Sequence, residues 1–325
     1  MPVQMPGSAP RQPSPEDMPW NRDILVAPVV TLEPLSVGPS QIFLERSGVP
    51  NVIRDLKSPK KMIATFQWFP LDDQKKSSFD QVAIRVSTDG AKSWGAPWSP
   101  KILGLPEGYQ RAFDPTLTQL EDGTYRLYFT SGTRPRFNPQ EGAESSQHRG
   151  PSPGRGEHIG IYSATSSDLK VFTVEPGERT DRLDGPAVDC AVSKFGETTV
   201  MLAHLGPPKS PFERTQGYFA TSRDGLRFER TLNALGPAQA NFIGNLTKDK
   251  SDLLYIAQGR QGLWTMRSKD GRNWEQPIQS TIIGNDPVLV QDFDGKWWLY
   301  FVGPPRKDAV QGPRPAPASG PGFRQ

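Results

Sequence analysis

The sequence predicts an all-β chain folded as a five-bladed propeller of four-stranded antiparallel blades, and three patterns carry that expectation. A short motif returns four times, as STDGAKSW (87–94), SSDLKVF (166–172), SRDGLRF (222–228) and SKDGRNW (268–274). A strand pair opening on Asp-Pro recurs, as FDPTLTQLEDGTYRLYFTSG from Phe113 and NDPVLVQDFDGKWWLYFVG from Asn285. Finally, 31 Gly and 34 Pro make up a fifth of the 325 residues, which suits many short strands joined by turns.

Five strand pairs align. The two above are joined by VPNVIRDLKSPKKMIATFQW (49–68), VDCAVSKFGETTVMLAHLG (188–206) and ANFIGNLTKDKSDLLYIAQG (240–259). A third apolar strand follows each of the first four pairs and runs into one copy of the motif, as in DQVAIRVSTDG and GLWTMRSKDG. A fourth strand is expected after each motif. The motif aspartates lie 79, 56 and 46 residues apart, the first interval holding an insertion. Four-stranded repeats of this length are the signature of propeller blades. The fifth pair, 285–303, has no strands after it, so DILVAPVV (23–30) and SQIFLER (40–46) are expected to complete the last blade. Such closure removes exposed sheet edges.

Residues 1–20 and 304–325 each carry six prolines and little apolar content. They read as Pro-rich arms flanking one domain at 21–303, because such segments bury too little apolar surface to fold alone. A net charge of +3 on 38 basic and 35 acidic residues gives no basic stripe for nucleic acid. The single cysteine, Cys190, excludes an intrachain disulfide or a Cys-based zinc site, and the three histidines are widely spaced. No cofactor or metal is implied. No apolar run is long enough for a spanning helix, and the first 20 residues have no apolar signal core, leaving the compartment open between cytoplasm and export.

The repeated motif resembles the Asp-box of sialidase-like propellers, with Leu169 in place of glycine in the second copy. Asp89, Asp168, Asp224 and Asp270 read as turn-forming structural residues, each turn closed by Trp94, Phe172, Phe228 or Trp274. Their place between third and fourth strands puts them away from the usual ligand mouth.

Inner strands of a propeller start at that mouth. The aligned starting positions are Asp114, Asp189, Asn241 and Asp286, with Val49-Pro50 in the first blade. Carboxyl groups held close drive their pKa values apart, the condition for one to act as acid and another as base. Most of residues 49–303 resembles arabinanase- and xylosidase-type five-bladed glycosidases in blade pattern. The resemblance implies an Asp base at Asp114 and an Asp that tunes the acid at Asp189. The Glu-Gly-Pro pattern of the family's acid is missing, which leaves that role to Asp286 or to a Glu that the pattern does not mark. The arginine triad of true sialidases is not found either. The alternative use of these aspartates is to tie blade to blade through backbone N–H groups.

Two long loops open on the same face. TRPRFNPQEGAESSQHRGPSPGRGEH (133–158) brings Arg134, Arg136, Arg149, Arg155 and His158, and GPPKSPFERTQ (206–216) brings Lys209 and Arg214. These are candidate contacts for an anionic sugar or a partner's acidic surface. His204 reads as a core residue, Cys190 as a small buried one, and the Asn245-Leu246-Thr247 sequon as accidental.

Two functions follow. The first is a non-catalytic, accessory binding or scaffolding subunit that docks onto a larger protein assembly through rim loops and Pro-rich arms. The alternative is a glycoside hydrolase, or a carbohydrate-binding relative, working through the mouth aspartates.

Overall fold

The computed structural model describes residues 18–73, 80–109, 111–133, 159–180, 187–205, 217–233, 244–259, 261–308 and 310. Apart from a 3-10 turn at Pro19–Asn21, every regular element among them is a strand. The chain opens with β1 (Ile24–Leu32), β2 (Leu35–Val37) and β3 (Gln41–Leu44). Blade I is β4 (Ser47–Arg54), β5 (Met62–Trp68) and β6 (Gln81–Ser87), followed by the short β7 (Lys101–Leu103). Blade II is β8 (Ala112–Gln119), β9 (Tyr125–Gly132), β10 (Ile159–Ser166) and β11 (Val171–Val174). Blade III is β12 (Ala187–Phe195), β13 (Thr198–Leu205), β14 (Gly217–Ser222) and β15 (Glu229–Asn233). Blade IV is β16 (Gly244–Asp249), β17 (Asp252–Gly259), β18 (Gly262–Ser268) and β19 (Ile278–Gln279). Blade V begins with β20 (Asn285–Gln291) and β21 (Trp297–Val302).

The ring closes as the sequence predicts. β1 pairs antiparallel with β21, from Ile24 opposite Val302 to Pro28 opposite Trp298, and β2 and β3 both add to the outer edge of β1. The sequence points to 23–30 and 40–46, and the structure adds a further strand between them, Leu35–Val37. The inner strands β4, β8, β12, β16 and β20 touch in that cyclic order, with β20 returning to β4.

Strand periodicity explains the core. Successive side chains point to opposite faces, and each blade lies between two others, so both faces must be apolar. In β21, Leu299 and Phe301 pack toward blade IV with Leu254 and Ile256. Tyr300 and Val302 pack toward blade I with Met62 and Phe66. In β9, Leu127 and Phe129 join Ile63 and Ile84 of blade I, while Tyr128 joins Met201 and Ala203 of blade III. Phe219 of blade III meets Tyr255 of blade IV. Five apolar clusters thus fill the five seams between blades. That is why the second strands read as unbroken apolar runs such as LYF in β9 and WWLYFV in β21.

Blade I departs from the expected four strands. Its fourth position holds only a bridge between Ile84 and Trp98, and the chain then crosses to blade II, where β7 pairs parallel with β11. The indole of Trp98 donates to Leu169 O at 3.3 Å, fixing that crossing. In blade III the first hairpin is one residue shorter, so Leu202 stands where Tyr128 does in blade II rather than at the Leu127 position.

Candidate functional site at the channel mouth

Four inner strands share one irregularity near their start. The register slips between Gly48 and Asn51, Phe113 and Thr116, Val188 and Ala191, and Asn285 and Val288, so that two residues face one. The first residue of each bulge is left-handed: Val49 at φ 49°, Asp114 at 51°, Asp189 at 50° and Asp286 at 44°. Aspartate tolerates this region because its short polar side chain bonds locally; a β-branched valine resists it. Proline follows in three cases (Pro50, Pro115, Pro287), which removes an N–H that the bulge would leave unpaired. In blade III, Cys190 takes that place, and Asp189 N donates to Thr130 Oγ1 at 2.9 Å. The Asp-Pro pattern read as a repeat feature is therefore a bulge that presents its aspartate at the mouth. Blade IV is described from Gly244, where a Cβ would sit 1.5 Å from Ile256 O, so no side chain fits. Asn241 lies outside the described residues.

Asp114, Asp189 and Asp286 come together on one cavity of about 470 Å³. Asp114 is buried, and the other two are half-buried. Cys190 lies in the wall between blades II and III. Burial first, then the negative charges of Asp114 and Asp189, push its thiol far above the ordinary range, so it stays protonated. The cavity has a floor. One residue below Pro50 and Gly244, the Nδ2 of Asn51 donates to Asn245 Oδ1 at 3.4 Å, while Asn51 Oδ1 accepts from Leu117 N at 2.9 Å. Beside them Thr116 Oγ1 donates to Cys190 O at 2.6 Å. These bonds join blades I, II, III and IV beneath the mouth. Asn245 is buried in this floor, so its sequon is out of reach of glycosylation.

The rest of the wall comes from residues the sequence did not single out. Gln67 and Gln258 sit at the mouth ends of β5 and β17, in TFQW and YIAQG. A polar residue ending an otherwise apolar second strand is the signal that marks them. Gln67 Nε2 donates to Asp80 Oδ2 at 3.1 Å, and Asp80 in turn pairs with Arg111 at 2.7 Å. Pro19 and Arg22 reach the cavity from the segment before β1, for which no sequence signal existed. That segment is clasped by the chain's other end. Arg306 Nη1 bonds both oxygens of Asp23 at 2.7 and 2.9 Å, and Asn21 exchanges two bonds with the backbone of Val310. Buried Arg46 ties Trp20 O, Asn21 Oδ1 and Asp308 together.

Arg134, Arg136, Arg149, Arg155, His158, Lys209 and Arg214 all lie outside the described residues. The four motif aspartates sit on the opposite face, as the strand order requires. Asp224 Oδ1 accepts from Leu226 N and Arg227 N at 2.7 and 3.0 Å, and Asp270 Oδ1 from Arg272 N and Asn273 N at 2.8 and 2.7 Å. Leu169 takes φ 65°, beside 72° at Gly225 and 71° at Gly271. The first copy has an extra residue, with Gly90 and Ala91 both left-handed. Among the described residues no cluster of three His, Cys, Asp or Glu is arranged to hold a metal ion, and no helix is long and apolar enough to cross a membrane.

No protein-family model matches the chain, and no curated protein does. Solved structures do. A protein of unknown function from Dyadobacter fermentans aligns over 78% of this chain and 74% of its own at TM-score 0.55 and 18% identity. An endo-arabinase from Bacteroides thetaiotaomicron aligns over 81% and 95% at TM-score 0.52 and 12% identity. The GH32 β-fructofuranosidase BmSUC1 of Bombyx mori aligns over 86% of this chain at TM-score 0.52 and 11% identity, but over only 57% of its own length. The backbone is thus similar to glycosidase propellers, and the likeness is one of fold.

Proposed function

We propose that this chain is a glycoside hydrolase, or a carbohydrate-binding relative, whose site is the cavity at the channel mouth. The observation that carries the reading is convergence: three blades bulge at equivalent positions, and each bulge delivers an aspartate to one cavity. Its volume lies in the range of small-ligand sites. Glycoside hydrolysis needs a carboxyl pair flanking the scissile bond, one giving a proton to the leaving oxygen and the other activating water or attacking. In the proposed assignment Asp114 is the base, Asp189 orients and tunes the acid, and Asp286 supplies the proton. The glycosidase structures of similar fold support sugar chemistry without assigning it.

A second reading, a non-catalytic binding propeller, draws on two observations. Blade I presents Val49 where other blades present carboxylates, and no glutamate or aromatic ring stands among the described lining residues. In that reading the arms 1–20 and 304–325 and the rim loops would engage a larger assembly.

One experiment separates them. The full chain is assayed against para-nitrophenyl arabinofuranoside, xylopyranoside, galactopyranoside and fructofuranoside, alongside Asp114→Asn and Asp286→Asn. Turnover that both variants lose by about a hundredfold or more supports hydrolysis. No turnover, with the protein co-purifying in a defined complex from its source, supports the scaffold.

A further inference from the structure

The blade I sector of the pocket is built unlike the others. Val49 gives it no carboxylate, and two other polar side chains stand there instead. Arg22 is the only cation among the described lining residues. Its backbone oxygen accepts from Ser47 N of blade I at 3.0 Å, and its Nη1 donates to Gly303 O, just past blade V, at 3.1 Å. Arg22 is thus tied to both sides of the seam between blades V and I, its backbone through Ser47 and its guanidinium through Gly303 O, and among the described residues one of the guanidinium's five donors is used. Gln67 is the register partner of Gly48, the neighbour of Ser47, so it stands on the same sector. It is nine-tenths buried, and its Nε2 is committed to the Asp80 carboxylate, which fixes the amide's orientation and leaves Oε1 as an acceptor.

A fixed fork of donors beside a fixed acceptor matches vicinal hydroxyl groups, each of which gives one hydrogen bond and takes others. We propose that Arg22 and Gln67 form a hydroxyl-orienting subsite on blade I that sets how a sugar ring lies against the aspartates of blades II, III and V. This rests on the sugar-site reading above and adds the residues that position the ligand. Arg22 belongs to the segment clasped by Asp308 and Val310, so the docked C-terminal tail helps hold the subsite in place.

The test uses the full chain, with Arg22→Gln, Arg22→Lys and Gln67→Leu. The probes are the para-nitrophenyl glycoside that is cleaved and free L-arabinose, D-xylose, D-galactose and D-fructose, with binding read by saturation-transfer NMR. Losing a hydrogen bond that involves a charged group, or leaving a buried partner unpaired, is expected to raise KM and the sugar's Kd about tenfold in Arg22→Gln and Gln67→Leu, with kcat changed less. Arg22→Lys keeps the charge and the reach to Gly303 O but not the fork, and should lie between. If Arg22→Gln fails to fold, Gln67→Leu and Arg22→Lys still decide the matter. Wild-type KM and Kd in the folded variants would overturn the subsite while Asp114→Asn still abolishes turnover, leaving the hydrolase reading intact. Absence of both turnover and sugar binding by the unmodified chain would remove that reading and the subsite with it.

Discussion

Asn51 and Asn245 meet across the middle of the ring, the amide of one donating to the other at 3.4 Å. Blades I and IV are not neighbours, so this contact spans the channel itself. Asn51 also accepts from Leu117 N of blade II. Replacing it with Leu leaves a buried N–H and a buried amide short of partners, which costs about 1–3 kcal/mol. Urea titration of Asn51→Leu should show that loss as a lower midpoint at unchanged slope.

Strain at the mouth gives a prediction of opposite sign. Val49 holds φ 49° with a branched Cβ. Asn adopts that region at little cost, so Val49→Asn should stabilise the fold by roughly 1 kcal/mol. A lower melting temperature in this variant would mean that packing of the valine outweighs its backbone.

The closest approach to a backbone lies at Gly244, where a Cβ meets Ile256 O at 1.5 Å. Neither partner can give way without breaking the β16–β17 ladder. Gly244→Ala should cost more than about 3 kcal/mol, at the exceptional end for a point change, and should show up as a large loss of soluble, folded protein.

Acid should undo the turns on the face away from the pocket. Backbone N–H groups of Leu226 and Arg227 hold Asp224 at a pKa of about 2, and those of Asn273 and Arg272 hold Asp270 at about 2, against an ordinary value of 3.8. A carboxyl whose folded pKa is depressed stabilises the fold above its unfolded pKa. That contribution is lost as pH falls through the ordinary carboxylate range toward 2. The melting temperature should therefore drop between about pH 4 and pH 2, and Asp224→Asn with Asp270→Asn should flatten the drop. An acid limb that the double variant leaves unchanged would place the titrating groups elsewhere.

The clasp between the chain ends invites a direct cut. Arg306→Ala leaves the carboxylate of Asp23, which is mostly buried, with Arg46 N as its donor among the described residues. The expected cost is about 1–3 kcal/mol, read as a melting temperature lower by a few degrees. Protease nicking beyond Gly303 should become faster in the variant.

What the sequence made legible was the repeat. Asp-Pro followed by an alternating strand marked the starting points of blades II and V, and the seams explain why LYF recurs in two of the second strands. It left the bulge hidden, because a left-handed residue looks like any other letter: Asp114 and Val49 share a conformation but not a residue type. Arg22 was hidden for another reason. Its position depends on Ser47 and Gly303, partners distant in sequence or belonging to the far end of the chain, and no local pattern encodes such a meeting. Gln67 was visible as an odd polar ending, but the Asp80–Arg111 pair that orients it appears only after folding.

The pairing of Ile24 with Val302 has a consequence for folding. The strand ILVAPVVTL precedes the hairpin that receives it by the whole of blades I to IV. β2 and β3 follow it directly and cover one edge, but the edge that β21 will cover stays open until that hairpin exists, and is exposed to a second copy of the chain. Closing blade V therefore joins strands far apart along the chain, which makes it the contact-distant and slowest kind of step in forming the ring.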